Sequence, residues 1–329
     1  MYEKTNLNFR FKNLKKQCLQ NNYKFGKFWE KEKKTFEVNF RDGNFYSTGS
    51  RNYLPRIYNK DIKDKDIILI DSKKFIQIAK KKFCILKNDT SRHFLHSFHY
   101  FKKIKDLIGL NDVCLDIGSG SGLIQFLIHQ DKKGTNIFID IPESILNSVA
   151  LCFTLFPNSK IILPNEIKEN NLNIKDYDFI FLYPNQKHLI KNSSINFGIN
   201  TQSFQEMDIG EVNAYLKYFN RVLINKSNLF ISNRILKNTY FFSYNFKGTN
   251  YKKIYLKKDN YYYSKENSHL SSFINLLLQK NNKHSFAFNK LDYIFGFLYL
   301  KNLKLIFWIK FYMKNLIIYF LRKFKLWKY

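Results

Sequence analysis

Short apolar runs alternate with segments of helical periodicity through the middle of the chain. Five runs of four or five residues begin at Val113, Asn136, Asp178, Phe197 and Leu229. Between them, apolar residues recur every three to four positions in segments 121–130, 142–156 and 210–222. Because parallel neighbours in a sheet need crossover connections, this alternation predicts an α/β fold with a doubly wound, mostly parallel sheet.

The pattern changes on both sides of this alternation. An apolar stripe at helical spacing from Phe94 to Ile108 predicts a helix that packs against the sheet. Residues 240–257 place two aromatic runs around a Lys-Gly-Thr-Asn turn and predict a closing hairpin. In the Lys-rich N-terminal region, the segment 41–44 predicts a turn.

The first apolar run leads into a glycine-rich loop. Residues 113–123 read VCLDIGSGSGL, so an acid, Asp116, precedes Gly118, Ser119, Gly120 and Gly122. Glycines allow a tight turn and a close ligand, and the following helix offers free N–H groups to an anion. The spacing differs from the dinucleotide fingerprint G-x-G-x-x-G and fits NAD poorly. An acid at the entrance suits the amino group of a zwitterionic amino acid, such as the methionine end of S-adenosylmethionine.

A second acid follows the second run. Asp140 lies 22 positions after Gly118, and Ile141 and Pro142 come directly after it. At this strand end a carboxylate can accept both ribose hydroxyls of a nucleotide, and we count Ile141 with the cofactor-binding residues. The structural alternative is that Asp140 caps the helix that begins at Pro142. The order strand, loop, helix and strand favours the nucleotide cofactor.

These segments resemble the motifs of class I S-adenosylmethionine-dependent methyltransferases, with LDIGSGSG as the first motif and FID as the second acid. More narrowly, FIDIPESI, DFIFLYPNQ, FGINTQSFQEM and LFISNR resemble the sugar O-methyltransferases of polysaccharide-biosynthesis loci. The resemblance covers residues 91–245, with weaker support around 28–30, and does not include 285–329. It implies a Rossmann-like fold, S-adenosylmethionine as cofactor and a sugar or glycan acceptor.

Methyl transfer to a hydroxyl needs a base beside the acceptor oxygen. Glu206 follows the fourth strand, at the sheet edge where doubly wound folds bind ligands, and is the first candidate. Ser203 and Gln205 are expected to hydrogen-bond sugar hydroxyls, and Asn200 to line the cofactor pocket. The alternative is that Ser203 and Glu206 form a capping box at a helix start.

Three histidines, His93, His96 and His99, precede the sheet at intervals of three. His96 and His99 are second candidates for the base, although the spacing favours surface or core-edge positions. Zinc sites on helices typically use an i, i+4 pair, so we name no metal. Cys114 and Cys152 fall in apolar segments and are interpreted as inert core residues.

Charge and composition add two alternatives. The net charge of +29, from 55 basic and 26 acidic residues, fits an anionic partner. However, Lys, Asn, Ile, Phe and Tyr share A/T-rich codons, which can raise the basic count without selection for such a partner. Nucleic acid is not favoured, because residues 200–203 read NTQS instead of the loop used to methylate exocyclic amines. Four cysteines without a C-x-x-C pair, and no apolar leader, favour the cytoplasm.

The last 39 residues, 291–329, combine lysines with a charge-free apolar stripe and predict a basic amphipathic helix. No apolar run there approaches the length of a transmembrane helix. Such a helix can lie on the inner face of an anionic membrane, contact a second copy in an oligomer, or pack on the N-terminal region.

We therefore predict a cytoplasmic O-methyltransferase that methylates a sugar hydroxyl of a glycan or glycan precursor. The expected parts are a substrate-capping region at 1–90, the methyltransferase domain at 91–257, a connector at 258–290 and the helix at 291–329. One alternative is a methyltransferase that acts on RNA or another polyanion. The other is a non-catalytic membrane-docking protein that retains the fold.

Overall fold

The computed structural model describes residues 2–20, 38–41, 44–47, 89–168, 172–259, 273–281, 285–294 and 296. Its strands are β1 (Val38–Arg41), β2 (Asn44–Ser47), β3 (Val113–Ile117), β4 (Thr135–Ile139), β5 (Ile161–Ile162), β6 (Phe179–Leu182), β7 (Ile195–Thr201), β8 (Leu223–Arg234), β9 (Tyr251–Lys258) and β10 (Phe273–Lys280). Its helices are α1 (Tyr2–Gln20), α2 (Asp89–Ile104), α3 (Leu123–Lys132), α4 (Pro142–Leu155) and α5 (Ile209–Val222). The five predicted strands correspond to β3, β4, β6, β7 and β8.

The main sheet has eight strands in the order β5-β6-β4-β3-β7-β8-β10-β9. Seven of them run in the same direction, while β10 runs antiparallel to both of its neighbours, β8 and β9. The fold is therefore the predicted doubly wound, mostly parallel α/β sheet of the Rossmann-like kind. The chain passes from β3 to β4 on one side and later returns to β7 on the other, so a crevice opens at the carboxyl ends of β3 and β7.

Both faces of the sheet are covered, which explains the nearly continuous apolar strands. Alternate residues of a strand face opposite sides, so Cys114 packs in one core with α2, α3 and α4, and Leu115 packs in the other with α5. Burial raises the pKa of the thiols of Cys114 and Cys152 above their usual range, because a thiolate loses its hydration there. Both cysteines are buried, as expected for core residues.

The first helix, α1, docks beside the carboxyl ends of β4 and β6. The Arg10 guanidinium donates to both carboxylate oxygens of Glu166 at 2.6 and 2.7 Å, and to the Ile161 carbonyl at 2.8 Å. Near its other end, Cys18 Sγ lies 3.1 Å from the Tyr183 hydroxyl. In the same N-terminal region, β1 and β2 pair with Arg41 opposite Asn44, in agreement with the predicted turn.

Arg10→Ala is expected to lower the free energy of unfolding by about 1–2 kcal/mol, because a partly buried, bidentate ion pair is lost. Chemical denaturation at neutral pH measures this effect. Lys12→Ala, on the exposed side of α1, is the control and is expected to change stability by less than about 0.5 kcal/mol. Equal stability of the two variants would contradict the docking of α1 through Arg10.

Two sequence predictions on the C-terminal side are wrong. The strand β9 pairs with β10 and not with residues 240–246, where Phe241–Ser243 form a short 3-10 turn. The predicted connector 258–290 contains β10, which is inserted into the sheet between β8 and β9. The strand β10 is buried on both faces, like the central strands, and its pairing with β8 and β9 brings together segments that are distant in the sequence.

Most of the predicted C-terminal helix, from residue 297 onward, lies outside the described residues. Its first turn is described and begins at Lys290, where Asn289 and Asp292 form a reciprocal capping box. Lys253 Nζ donates to Asp292 at 2.7 Å and ties this turn to β9. Within the described residues, none of the helices has the length and apolar character needed to cross a membrane.

Candidate functional site

The glycine loop connects β3 to α3 at the carboxyl edge of the sheet. Its three glycines all have positive φ angles: 70° at Gly118, 57° at Gly120 and 75° at Gly122. The loop is held by the Gly118 N–H, which donates to the Ile139 carbonyl at 2.8 Å, and by the Gly122 N–H, which donates to the Ser119 carbonyl at 2.9 Å. Residues with a side chain rarely adopt such angles, so the backbone itself requires glycine here.

The three glycines differ in what surrounds them. A Cβ on Gly118 would lie 1.7 Å from Ser203 Oγ, and one on Gly122 would lie 2.6 Å from the Phe138 ring. These two positions are therefore filled by the protein. A Cβ on Gly120 would meet nothing within 4 Å. Gly120 thus leaves a space beside the loop where a ligand can approach the backbone.

Asp116 is buried at the end of β3, with 1% of its surface exposed. Its Oδ1 has no hydrogen-bond partner within the described part of the chain. Burial raises the pKa of this carboxyl well above its usual range, and the nearby charge of Asp140 raises it further. Because a buried carboxylate without a partner is costly, this position favours a ligand with a cationic or hydrogen-donating group.

Asp140 faces the same loop from the end of β4. Its Oδ2 accepts the Gly120 N–H at 2.7 Å, and its Oδ1 accepts the Ile141 N–H at 2.7 Å. Burial raises the pKa of Asp140 to about 7, although these two hydrogen bonds and one with the Ser144 side chain act in the opposite direction. The nearby charge of Glu206 raises this pKa as well. A carboxylate offers about four acceptor positions, so the Asp140 carboxylate keeps acceptor capacity for a ligand hydroxyl beside these protein donors. The residue before the first turn of α4 is Ile141, so Asp140 is not the N-cap that the alternative interpretation required.

The loop also carries a buried hydroxyl without a partner. Ser119 Oγ is enclosed and has no hydrogen-bond partner among the residues described. Together with Asp116 Oδ1, it gives the site two polar atoms that the protein leaves unsatisfied. Such groups are rare in folded proteins, and a bound ligand is one of their ordinary explanations.

Asn200 does not line the pocket in the predicted way. Its amide Nδ2 donates to the Ile117 carbonyl at 2.8 Å, and its Oδ1 accepts from Asn233 Nδ2 at 2.8 Å. The side chain is fully buried, and it joins the end of β3 to the end of β8. Asn200 does not serve the cofactor because the hydrogen-bonding atoms of its side chain are used inside the protein.

The loop after β7 also differs from prediction. The Gln205 Oε1 accepts the Arg234 N–H at 2.8 Å, and only 2% of the residue is exposed, so its carbonyl oxygen does not serve a sugar. Ser203 makes no side-chain cap hydrogen bond, and its hydroxyl lies against Gly118, so the capping box is not formed. Glu206 forms an ion pair with Lys237, and its charge reaches Asp140.

Of the three candidate histidines, the structure describes the side chain of His99 alone. The side chains of His93 and His96, on α2, lie outside the described residues. His99 Nε2 lies 3.0 Å from Asp259 Oδ1, and Lys103 Nζ donates to the same oxygen at 3.0 Å. His99 is thus held at the carboxyl end of β9, on the opposite side of β8 from the glycine loop.

Sequence reasoning missed Asn233, Arg234, Lys237 and Asp259. Asn233 and Arg234 end the strand LFISNR, so the rule that ligands bind at strand ends was the available signal. Lys237 and Asp259 come from segments without a motif, and only the folded chain brings them to Glu206 and His99.

Comparisons with known proteins return structures but no sequence family. No family model matches the chain, and no curated protein matches it. Among solved structures, geranyl diphosphate methyltransferase in complex with SAM has a TM-score of 0.43 and 9% identity, and the match covers 57% of this chain and 86% of that one. The cyclase SpnF has a TM-score of 0.41 and 10% identity, with coverages of 56% and 80%. A Galdieria sulphuraria protein, provisionally described as a sarcosine dimethylglycine methyltransferase, has a TM-score of 0.42 and 10% identity. The match covers 57% of this chain and 86% of that one.

Proposed function

We propose that this chain is an S-adenosylmethionine-dependent O-methyltransferase that methylates a sugar hydroxyl of a glycan or glycan precursor. The observation that carries the proposal is the buried, unpartnered Asp116 Oδ1 beside a glycine loop that is open at Gly120. A nucleotide cofactor with an amino-acid end matches this arrangement.

The residues present fit the cofactor in three places. Asp116 would hold the amino group, because a cation satisfies its buried carboxylate. The N–H groups at the start of α3 would hold the carboxylate. Asp140 would accept ribose hydroxyls with the acceptor capacity that its protein donors leave. When bound, S-adenosylmethionine supplies a methyl group on a sulfonium, and the protein aligns the acceptor hydroxyl with it.

Glu206 remains the candidate base in this proposal. Its carboxylate forms an ion pair with Lys237, and this carboxylate is the group that would accept the proton of the acceptor hydroxyl. The segment from 197 to 207, which resembles the sugar O-methyltransferases, supports a sugar as the acceptor.

Glu206→Gln is expected to lower turnover by about 10²- to 10⁴-fold, the usual contribution of a positioned base. The dissociation constant for S-adenosylmethionine is expected to stay within about threefold, because the carboxylate is assigned to the acceptor. Mass spectrometry of methylated products from a nucleotide-sugar mixture measures turnover. Glu211→Gln, an exposed position on α5, is the matched control. Near-normal turnover by Glu206→Gln would remove Glu206 from this role.

The net charge of +29 supports a second candidate, methyl transfer to RNA or another polyanion. This candidate predicts RNA binding whose affinity falls steeply and linearly on a log-log plot against salt. Weak binding that does not change with salt would contradict it.

A further inference from the structure

Charged side chains are unevenly distributed along the carboxyl edge of the sheet. The acid Asp116 lies near the end of β3 and the acid Asp140 directly follows β4, both on the side of the glycine loop. The cations Arg234, Lys237 and Lys103 lie on the other half, around β8, β9 and β10, and the imidazole of His99 lies with them. A cofactor with a cationic sulfonium suits the acidic half, and the basic half borders the place where an acceptor would sit.

Most cations of the basic half already have an acidic partner. Lys237 pairs with Glu206, and Lys103 and His99 share one oxygen of the buried Asp259. Arg234 differs from them. Its guanidinium makes no ion pair within the described ranges, and its Nε is buried without a hydrogen-bond partner there. A partly buried guanidinium that lacks an anion is costly unless a ligand supplies one.

The fold fixes the position of Arg234. It is the last residue of β8, two residues after Ser232, so the two side chains are on the same face of the sheet. The Ser232 hydroxyl donates to the Tyr100 hydroxyl at 2.8 Å, which identifies this face as the one that α2 covers. Cys114 packs on this face too, so Asp116, two residues further along β3, also faces it. Arg234 and the cofactor site therefore share one face and one edge.

The surroundings of the guanidinium suit recognition of an oxyanion. The Arg234 Cζ lies over the Phe273 ring, 5.5 Å from its centroid. An arginine held on an aromatic ring still has its N–H groups available, because they lie in the plane of the guanidinium and point outward from its edge. This fork matches the two oxygens of a carboxylate or phosphate, which it binds with paired, charge-assisted hydrogen bonds.

We propose that the acceptor carries an oxyanion, a phosphate or a carboxylate, and that Arg234 binds it. The inference rests on the proposed methyltransferase function and narrows its substrate class. It assigns the acceptor to sugar phosphates, nucleotide-linked sugars or uronic acids, and it excludes a neutral sugar. Arg234 is in this proposal a specificity-determining residue.

Calorimetric titration of the full chain saturated with S-adenosylhomocysteine tests the proposal. The probes are pyrophosphate, uridine diphosphate, glucuronate and glucose, so the phosphate and carboxylate sources are separated. At least one anionic probe is expected to bind and glucose is not. Arg234→Gln is expected to lower the affinity for the anion by about tenfold or more. Arg234→Lys, which keeps the charge without the fork, is expected to lower it by less.

Lys217→Gln, at an exposed position on α5, removes the same charge from another surface and is expected to leave anion affinity within about twofold. Equal losses in the Lys217 and Arg234 variants would show non-specific attraction to a basic protein and overturn the inference.

A large loss of S-adenosylhomocysteine affinity in a folded Arg234→Gln would also overturn it, since Arg234 would then serve the cofactor. A wild type that binds S-adenosylhomocysteine but none of the anions contradicts this inference alone. A wild type that does not bind S-adenosylhomocysteine contradicts the proposed function itself.

Discussion

Gly118→Ala is expected to lower the free energy of unfolding by about 3 kcal/mol or more and to abolish cofactor binding. The new Cβ would lie 1.7 Å from Ser203 Oγ and 2.2 Å from Ser203 Cβ, so the backbone of one loop must move. The φ angle of 70° adds a strain of about 1–2 kcal/mol for a residue with a side chain. Thermal and chemical denaturation measure the loss of stability.

Gly120→Ala separates folding from binding at the same loop. Its Cβ meets nothing within 4 Å, so only the φ strain remains. We therefore expect a folded protein whose free energy of unfolding is lower by about 1–2 kcal/mol. Its affinity for S-adenosylmethionine is expected to fall much more than its stability, because the methyl group occupies the space left for the ligand. Gly210→Ala on α5, where the Cβ also meets nothing within 4 Å, is the control for both measurements. Equal effects of Gly118→Ala and Gly120→Ala on stability would contradict the assigned contacts.

Cofactor affinity is expected to rise between pH 6 and pH 8. Burial raises the pKa of Asp140 to about 7, and the ionised form is needed to accept two ribose hydroxyls. Below this pKa, binding must first remove a proton, so affinity falls by up to about tenfold for each pH unit. Titration calorimetry in buffers of different ionisation enthalpy measures the proton released. Asp140→Asn is expected to bind weakly and to lose this part of the pH dependence.

The same shift has an opposite effect on the stability of the ligand-free protein. The folded pKa of about 7 lies above the usual value of 3.8, so between these values the folded state holds a proton that the unfolded state has lost. Wild-type stability should therefore fall from pH 4 to pH 7 relative to Asp140→Asn, and the difference should stay constant above pH 8. A difference that does not change with pH would show that Asp140 is ionised throughout.

The sequence was sufficient for the centre of the fold. Strands β3, β4, β6, β7 and β8 were predicted because parallel strands buried on both faces read as continuous apolar runs bounded by turns. The glycine loop was predicted because its glycines stand where the backbone has positive φ angles, which few other residues adopt. Local chemistry alone determines these features.

The same reasoning failed where contacts between residues distant in the sequence determine strand pairing or the role of a side chain. β10 was missed because its pairing with β8 and β9 depends on the whole sheet. Asn200 and Gln205 were assigned to ligands, but their polarity does not reveal whether they face a pocket or satisfy backbone groups inside the protein. Arg234 was missed because its lack of a partner is a property of the folded chain.

The most direct test of the central claim is calorimetric titration of the purified chain with S-adenosylmethionine, S-adenosylhomocysteine and NAD. We expect micromolar binding of the first two, none of NAD, and a loss of about 100-fold or more in Asp140→Ala, which removes the acceptor of both ribose hydroxyls. A folded wild type that binds none of the three, or binds them equally well without Asp140, would contradict the assignment of this loop to S-adenosylmethionine.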